Sequence, residues 1–368
     1  MSRFRALSLL VLASCMTLAA PAHSQPAGAL GDDFIHRVRQ GETLIELATQ
    51  YTRNQANWNR LQTLNKVVTP ELLPIGLELH IPLAMIPVRD AQAQVVHVSG
   101  QASLNGKSVQ PGTPVSEGST LETAPNGFVT LQLADGSRLT LPSNGAVDLT
   151  RLRQFEGTAL TDSVINVRRG SVESSVAPAG QGVGRFEIRT PVAVTGVRGT
   201  RFRVQSSAQG VHSEVLEGSV RLQAHAPGDS PAKPVAVAQG YGAAVGADGA
   251  MSALRPLLAA PQLGDPVRAG GTWSVPFAPV EGARSYLVRV SRDADGALPV
   301  SSASFPANDI RFSAPGPGTF YVSVRAVDAL GLHGADSVRS FEGANMLMTS
   351  YGLGVASGSG GLVTLTAY

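Results

Sequence analysis

The chain has 368 residues, of which 43% are hydrophobic and 15% charged, with 40 glycines and 24 prolines. This length predicts two or three domains, and the many turn-forming residues favour short strands over helical bundles. The formal charge is +2, and without Arg3 and Arg5 the basic residues equal the 27 acidic ones. Such a balance argues against nucleic acid or an anionic membrane as partner, because both need surplus Lys and Arg. The single cysteine excludes an internal disulfide framework.

Residues 1–24 have the pattern of a secretory signal peptide. A basic start is followed by an apolar run and by small residues at Ala22 and Ser24, as signal peptidase requires. The residues before Cys15 also fit a lipobox, which would attach a lipid there, although cleavage near Ser24 is the preferred interpretation. No stretch has the ~20 apolar residues that a spanning helix needs. We therefore expect no transmembrane span and a location in the periplasm or cell envelope.

Residues 33–83 contain the strongest helical pattern of the chain. Apolar residues repeat at the spacing of one helix face, at Leu44, Leu47, Ala48 and Tyr51. Thr43 and Glu46 have the spacing of a capping box at the start of this helix. Trp58, Leu61, Leu64 and Asn65 predict a second helix, and short apolar segments flank the pair. The block is therefore predicted to fold as strand, helix, helix, strand.

This block resembles a LysM domain in the runs from His36 to Leu44 and from Leu73 to Pro82, and in the pair Leu64-Asn65. The resemblance implies binding of peptidoglycan or chitin, glycans that contain N-acetylglucosamine. It assigns the binding to two loops with the residues Gly41, Glu42, Thr43, Leu44, Leu73, Pro74, Ile75 and Gly76. Backbone donors and acceptors would bind the acetamido groups, and an apolar floor would accept the methyl group.

Two positions depart from the family pattern: Glu42 replaces the commoner Asp, and Ile75 stands where Pro is usual. The residues also allow a purely structural interpretation. In that interpretation Thr43 only caps the helix, Leu44 belongs to the core and Trp58 packs between the helices.

Residues 90–255 are rich in strand patterns, with turn signals at short intervals and no helix of usable length. The sequence Asp135-Gly136 between two alternating segments predicts a two-residue hairpin. The stretch resembles the FecR domain in Thr190-Pro191-Val192, in the run from Val197 to Phe202 and in the run from Val215 to Val220. Within it, Gly199 is predicted to make a turn with positive φ between two strands.

The FecR resemblance implies a periplasmic domain that receives a signal from an outer-membrane siderophore receptor and passes it to a sigma factor. That role also needs an anti-sigma segment and a membrane span, and neither is recognisable in this sequence. We therefore carry over the interaction domain, with an envelope protein as a partner, and keep iron-transport signalling as an alternative.

Five arginines are close in sequence in this region: Arg185, Arg189, Arg198, Arg201 and Arg203. They could form an anion or partner site. The preferred interpretation places them on solvent-exposed strand faces, paired with Glu187 or Glu214.

Residues 260–342 have alternating segments around Tyr286 and from Gly318 to Asp328, and they resemble a fibronectin type III or immunoglobulin-like sandwich. Residues 343–368 form a Gly/Ser-rich tail. The predicted fold class is thus mainly β and multidomain: a small βααβ LysM-like domain, a β-rich FecR-like domain and a β-sandwich.

The sequence contains no recognisable catalytic or metal-binding pattern. No two of the seven histidines have a metal-ligand spacing, and no nucleophile–base pair can be proposed. The prediction is a non-enzymatic, exported envelope protein without a cofactor that binds peptidoglycan. An accessory role beside a cell-wall hydrolase is a second alternative.

Overall fold

The computed structural model describes residues 29–30, 32–178, 183–197, 199–225, 232–269, 272–314, 316–343 and 355. The predicted signal peptide, the lipid site at Cys15 and nearly all of the predicted tail lie outside the described residues. The described part is mainly β, and its α-helices are confined to an N-terminal βααβ region, as the sequence predicted. Among the described residues, no helix is both long and apolar enough to span a membrane.

The N-terminal block follows the predicted order of elements. Its elements are β1 (Ala29–Leu30), β2 (Asp33–Arg37), α1 (Leu44–Thr52), α2 (Trp58–Asn65) and β3 (Glu78–Pro82), with short 3₁₀ turns at Gln55–Asn57 and Leu83–Met85. The three strands form one antiparallel sheet with β2 in the middle. The helices pack on it through a core that includes all four predicted residues of the first helix, Leu44, Leu47, Ala48 and Tyr51.

Both helices begin and end for local chemical reasons. The Thr43 hydroxyl accepts the N–H of Glu46 at 3.3 Å, and the Glu46 carboxylate accepts the N–H of Thr43 at 3.1 Å, which confirms the capping box. Helix α2 buries Leu61 and part of Trp58, but Leu64 is 48% exposed and does not belong to its buried face. Asn65 at its end both donates to the carbonyl and accepts from the N–H of His80, which joins α2 to β3.

The central body is built only of strands. In chain order they are β4 (Val88–Asp90), β5 (Ala93–Ser99), β6 (Ala102–Leu104), β7 (Lys107–Ser108), β8 (Pro114–Val115), β9 (Thr120–Thr123), β10 (Phe128–Gln132), β11 (Arg138–Leu141), β12 (Ala146–Phe155), β13 (Thr161–Ser175), β14 (Val183–Arg189), β15 (Ala193–Val197), β16 (Arg201–Ser207), β17 (Gly210–Glu217), β18 (Ser219–Ala224), β19 (Val235–Ala238), β20 (Tyr241–Gly246) and β21 (Arg255–Pro256).

These strands form two sheets that share β13 and enclose one apolar core. The order in sheet I is β7-β6-β9-β12-β13-β14-β15-β18-β19, and β4 pairs with the end of β12. The order in sheet II is β8-β5-β10-β11-β13-β16-β17-β20-β21. Every pairing is antiparallel except that of β13 with β14.

Strand β13 changes sheets at Gly170. Arg169 still pairs with Ala146 of β12 in sheet I, whereas Gly170 pairs with Ser206 of β16 in sheet II. The φ of Gly170 is +80°, and a Cβ atom placed there would be 2.8 Å from the Cα of Gly145. Glycine is therefore required at this position for two reasons: its backbone conformation, and the close approach of the loop that precedes β12.

The two turns predicted at Gly199 and at Asp135-Gly136 are both present, and the second is one residue longer than predicted. Gly199 has a φ of +58° between β15 and β16, as predicted. The hairpin of β10 and β11 forms at Asp135-Gly136, but Leu133 donates to the carbonyl of Ser137, which leaves three residues in the loop instead of two. Gly136, with a φ of +82°, occupies the left-handed position that such a loop requires.

The C-terminal block contains β22 (Val267–Ala269), β23 (Thr272–Ser274), β24 (Ser285–Ser291), β25 (Pro299–Phe305), β26 (Gly318–Val327) and β27 (Ser337–Gly343). Strands β25-β24-β26-β27 form a four-stranded antiparallel sheet, and β22 pairs with β23. One face of the larger sheet packs into its own apolar core with Trp273, Phe277 and Phe312.

Both outer blocks are packed against the central body. Phe155 and Leu160, at the turn between β12 and β13, belong to the apolar core of the N-terminal block. Beside them, Arg53 of the N-terminal block lies 3.2 Å from Glu156. On the other side, the C-terminal block covers the outer face of sheet II, where the imidazole of His97 contacts the carbonyl of Pro299 at 2.7 Å.

Replacing Gly170 with Ala tests the sheet crossing, with Gly136→Ala as a matched control. Both glycines have φ near +80°, so both variants should lose about 1–2 kcal/mol to backbone strain. Nothing lies within 4 Å of a Cβ at Gly136. The new methyl group in Gly170→Ala would clash with the loop that precedes β12, so this variant should lose at least about 1 kcal/mol more of its free energy of unfolding. Urea denaturation measures both free energies of unfolding. Equal losses would contradict the close approach at Gly170.

Candidate functional site

The two loops predicted to bind glycan lie side by side. The first joins β2 to α1 and the second joins α2 to β3. The N–H of Leu44 donates to the carbonyl of Pro70 at 3.0 Å, and the N–H of Gly76 donates to the carbonyl of Val38 at 2.8 Å. These backbone bonds connect the two loops directly, so their relative position is fixed by the fold.

The eight predicted site residues divide into supporting and exposed ones. Leu44 is fully buried and Leu73 is 6% exposed, so their side chains form the floor below the loops. Gly41, Pro74, Ile75 and Gly76 are exposed at the surface. Gly41 and Gly76 have φ of +84° and +83°, and no atom lies within 4 Å of a Cβ placed on either. The surface above the loops is therefore open to a ligand that contacts backbone.

A buried histidine holds the first loop in place. The Nε2 of His36 is 2.7 Å from the carboxylate of Glu42, and its Nδ1 is 2.9 Å from the hydroxyl of Tyr51. The same carboxylate accepts the N–H of Arg39 at 2.7 Å. With Glu42 ionised, His36 donates from Nε2, and Tyr51 donates to Nδ1. The Glu42 carboxylate is therefore engaged in hydrogen bonds within its own block, and these bonds fix the conformation of the first loop.

The charge of Glu42 is stabilised by these contacts. Burial raises the pKa of the Glu42 carboxyl, but the Arg39 N–H and His36 outweigh burial and hold that pKa below its ordinary value. Burial and the charge of Glu42 raise the pKa of the Tyr51 hydroxyl. The sequence pattern predicted Tyr51 only as a core residue and gave no role for His36, because their contact joins a strand to a helix.

The loop region has an apolar surface beyond the predicted residues. Ile75 is 71% exposed, and the neighbouring Leu72 and Val68 are 77% and 92% exposed. Leu64 at the end of α2 is also exposed. Leu72 and Val68 were not predicted to belong to this surface. The signal that could have identified them is that both are apolar and lie outside any helical or strand period.

A second group of polar residues lies between sheet II and the C-terminal block. Glu173, Arg203 and Glu214 are cross-strand neighbours on β13, β16 and β17. Glu173 accepts two hydrogen bonds from Arg289 at 2.6 and 2.8 Å and one from Arg325 at 2.8 Å. Three strands of the body and two strands of the C-terminal block thus meet in one ion cluster.

Further contacts complete this ion cluster. Arg203 donates to the carbonyl of Gly334 at 3.0 Å and to the carboxylate of Asp336. Asp336 also lies 3.3 Å from Arg325. Glu214 accepts the N–H of His333 at 2.9 Å and is 3.9 Å from Arg203.

The cluster corrects one of the sequence predictions. Arg203 is 3% exposed, so its predicted place on a solvent-exposed strand face is wrong. The reason is that the C-terminal block covers the outer face of sheet II. Arg189 does pair with Glu187, as predicted, and Arg185 forms two hydrogen bonds with the buried Asp162. Arg198 lies outside the described residues.

Burial shifts the proton affinities of the cluster in both directions. Burial raises the pKa of Glu173, but Arg289, Arg325 and Arg203 outweigh it and hold that pKa well below its ordinary value. Burial raises the pKa of Glu214 to about 7 despite the nearby Arg203. Burial, together with Arg325 and Arg203, lowers the pKa of His333 to about 3. Glu173 is therefore charged and His333 neutral at pH 7.

Within the part of the chain that the structure describes, no group of three or more His, Cys, Asp or Glu side chains could hold a metal ion.

Comparison with known proteins identifies two regions of the chain. Residues 36–82 match the model of the LysM domain, and residues 119–221 match the model of FecR protein. No curated protein matches the chain. The resemblance of the C-terminal block to fibronectin type III or immunoglobulin-like domains stays a prediction.

Two crystal structures of a candidate anti-sigma factor from Parabacteroides distasonis are similar to part of the chain. Each is 16% identical and covers 37% of this chain and 59% of its own, with TM-scores of 0.30 and 0.29. The chain thus spans little more than half the length of those proteins.

Replacing Glu173 with Gln should destabilise the protein by about 3–5 kcal/mol, because three arginines with almost no exposed surface would lose their shared counter-charge. The matched control is Glu187→Gln, which breaks the pair with the half-exposed Arg189 and should cost less than about 1 kcal/mol. Urea denaturation of both variants measures the difference. Similar losses for the two would mean that the cluster contributes no more than a surface pair.

The imidazole of His333 should not titrate between pH 5 and 8 in the folded protein. Its pKa is about 3 when folded and about 6.5 when unfolded, so its contribution to stability is complete above pH 6.5 and is lost as pH falls towards 3. Histidine side-chain NMR spectra of the folded chain and of the chain in urea check this. A folded-state midpoint above pH 5 would contradict the burial of His333.

Proposed function

We propose that the protein is a non-enzymatic envelope protein that binds peptidoglycan through the two N-terminal loops, Gly41 to Leu44 and Leu73 to Gly76. The proposed domains are 33–83 for glycan binding, 90–255 for interaction with an envelope protein and 260–342 as a β-sandwich. The observation that carries the proposal is the pair of adjacent, exposed loops inside the region that matches the LysM model.

The chemistry of the loops suits an uncharged, N-acetylated sugar. No atom lies within 4 Å of a Cβ placed on Gly41 or Gly76, so the acetamido group can approach the backbone of both loops closely. Pro74 and Ile75 offer exposed apolar surface for its methyl group and for a sugar face. Glu42 is tied to His36 and Arg39, so its charge does not have to be desolvated by the ligand.

The roles of the eight residues differ in this proposal. Gly41, Pro74, Ile75 and Gly76 contact the glycan, and Leu44 and Leu73 support them from the core. Glu42 and Thr43 position the first loop, because Glu42 binds His36 and Thr43 caps α1. Export to the periplasm, with either release or a lipid at Cys15, is part of the same proposal.

A regulatory role is the second candidate, and the match of residues 119–221 to FecR protein favours it. In this reading the central body would receive a signal from an envelope partner, as in siderophore transport. Because the C-terminal block covers the outer face of sheet II, we place such a partner on the outer face of sheet I. No observation separately favours an accessory role beside a hydrolase.

Sedimentation with insoluble peptidoglycan tests the glycan proposal. Deleting residues 33–83 would uncover Phe155 and Leu160, so a point variant is the cleaner test. Ile75→Glu places a charge at the loop surface and should weaken binding at least about tenfold, a loss of about 1.4 kcal/mol. Val267→Glu, at an exposed valine of the C-terminal block, is the control.

The expected result is that the parent protein and Val267→Glu sediment equally, and that Ile75→Glu stays largely in solution. Circular dichroism should show that both variants are folded. If the parent protein fails to sediment, or Ile75→Glu sediments like the parent, then these loops are not the binding site.

A further inference from the structure

The outermost strand of the C-terminal sheet, β25, is open along one side. Among the described strands it pairs with β24 alone. Its first residues lie on the central body, where the carbonyl of Pro299 accepts from the His97 imidazole at 2.7 Å and the carbonyl of Val300 accepts from the Ser99 hydroxyl at 3.5 Å. Across the described ranges, no hydrogen bond joins the stretch from Ser301 to Phe305 to any element except β24. Alternate backbone groups of this stretch therefore point away from β24 without a protein partner.

This edge lacks the protection that the other sheet edges have. Strand β25 has seven residues and no charged side chain. In the part of the chain that the structure describes, every other outermost strand either has at most four residues or carries a charged side chain. Strand β27, at the opposite edge of the same sheet, is equally long but carries Arg339 and Glu342. Charges on an edge strand oppose pairing with another strand, and β25 has none.

The open stretch is suited to meet its own copy. Pro299 and Pro306 lie on either side of it and cannot donate a backbone hydrogen bond, so they limit the length that can pair. Between them, Ser301, Ala303 and Ser304 are exposed, small and uncharged. A second backbone can therefore approach without desolvating a charge. When a strand meets its own copy across a two-fold axis, the two run antiparallel and the same residues face each other.

We propose that two copies of this protein associate through β25, which pairs antiparallel with the same strand of the second copy. The centre of the open stretch is Ala303, so the two-fold axis passes beside this residue and pairs it with its own counterpart. Ser301 then pairs with the counterpart of Phe305. The two four-stranded sheets become one continuous sheet of eight strands.

The side chains at this edge add an apolar contribution to the pairing. Ser301, Ala303 and Phe305 pair with three residues of β24 that belong to the C-terminal apolar core, so they lie on the core side of the sheet. The ring of Phe305 is only partly buried against that core. The second copy of β25 would cover the ring and remove apolar surface from water, in addition to satisfying the open backbone groups.

This inference does not depend on glycan binding, because β25 and the two N-terminal loops have no residue in common. It adds a self-association surface to a block that the proposed function leaves without a role of its own.

The test is sedimentation velocity of the full chain over a series of concentrations, with a reductant present so that Cys15 cannot link two copies. The mass should rise from that of one chain towards that of two. Hydrogen exchange, measured over the same series, should show protection of amides between Ser301 and Phe305 that increases with the dimer fraction. A single-chain mass at every concentration would overturn the proposal. Protection that is already complete in the monomer would also overturn it, because another segment of the same chain would then cover the edge.

Charge variants locate the contact. Ala303→Lys and Ala303→Glu each place two like charges side by side at the axis, so each should raise the dimer dissociation constant at least tenfold. An equimolar mixture of the two variants should dimerise again, because opposite charges then meet. Ser340→Lys, at an exposed serine of β27, is the matched control and should change the constant less than twofold.

Circular dichroism and thermal melting should show that all three variants are folded. The proposal fails if either variant at Ala303 dimerises like the parent, if Ser340→Lys weakens the dimer as much as they do, or if the mixture dimerises no better than each variant alone.

Discussion

All three blocks of the protein meet along one strand, β13. The turn before it carries Leu160 into the core of the N-terminal block, and its first half belongs to sheet I. Beyond Gly170 it belongs to sheet II, where Glu173 binds two arginines of the C-terminal block. A conformational change at β13 would therefore affect the attachment of both outer blocks. The positive φ of Gly170 allows the strand to pass from one sheet to the other.

The two contacts that join the blocks differ in their chemistry. The N-terminal contact is mainly apolar, made by Phe155 and Leu160, and it gains stability by removing hydrocarbon surface from water. The C-terminal contact is ionic, and the desolvation of its charges offsets much of their mutual attraction. Such a contact tolerates few alternative arrangements, because removing or shifting one charge leaves others buried without compensation. It therefore specifies one docking geometry more than it adds stability.

The sequence was sufficient for features that depend on near neighbours. The period of Leu44, Leu47, Ala48 and Tyr51 predicted α1, and Thr43 with Glu46 predicted its start, since capping involves residues three apart. The adjacent loops followed from the LysM resemblance. Alternation predicted the strands of the central body, and the left-handed glycines marked its turns at Gly136 and Gly199.

Contacts between distant segments could not be predicted in this way. Alternation shows that Arg203 points away from the core of its own sheet, but it does not show that another block covers that side. The same limit applies to Phe155, whose apolar character fits either core. His36 and Glu42 are only six residues apart in the sequence. The bridging role of His36 nevertheless depends on Tyr51 of α1, which only the tertiary structure brings into contact with it.

The packing of the N-terminal block against the central body determines how far the molecule extends from its two loops, and in which direction. Phe155 and Leu160 pack into that block's core, so no free linker separates the loops at Ile75 from the sheets of the central body. In proteins that are tethered through a flexible linker, the reach is set by linker length and composition. Here a polymer held at the loops would instead set the orientation of the whole molecule, and the distance from that polymer to the C-terminal block would be a fixed property of the fold.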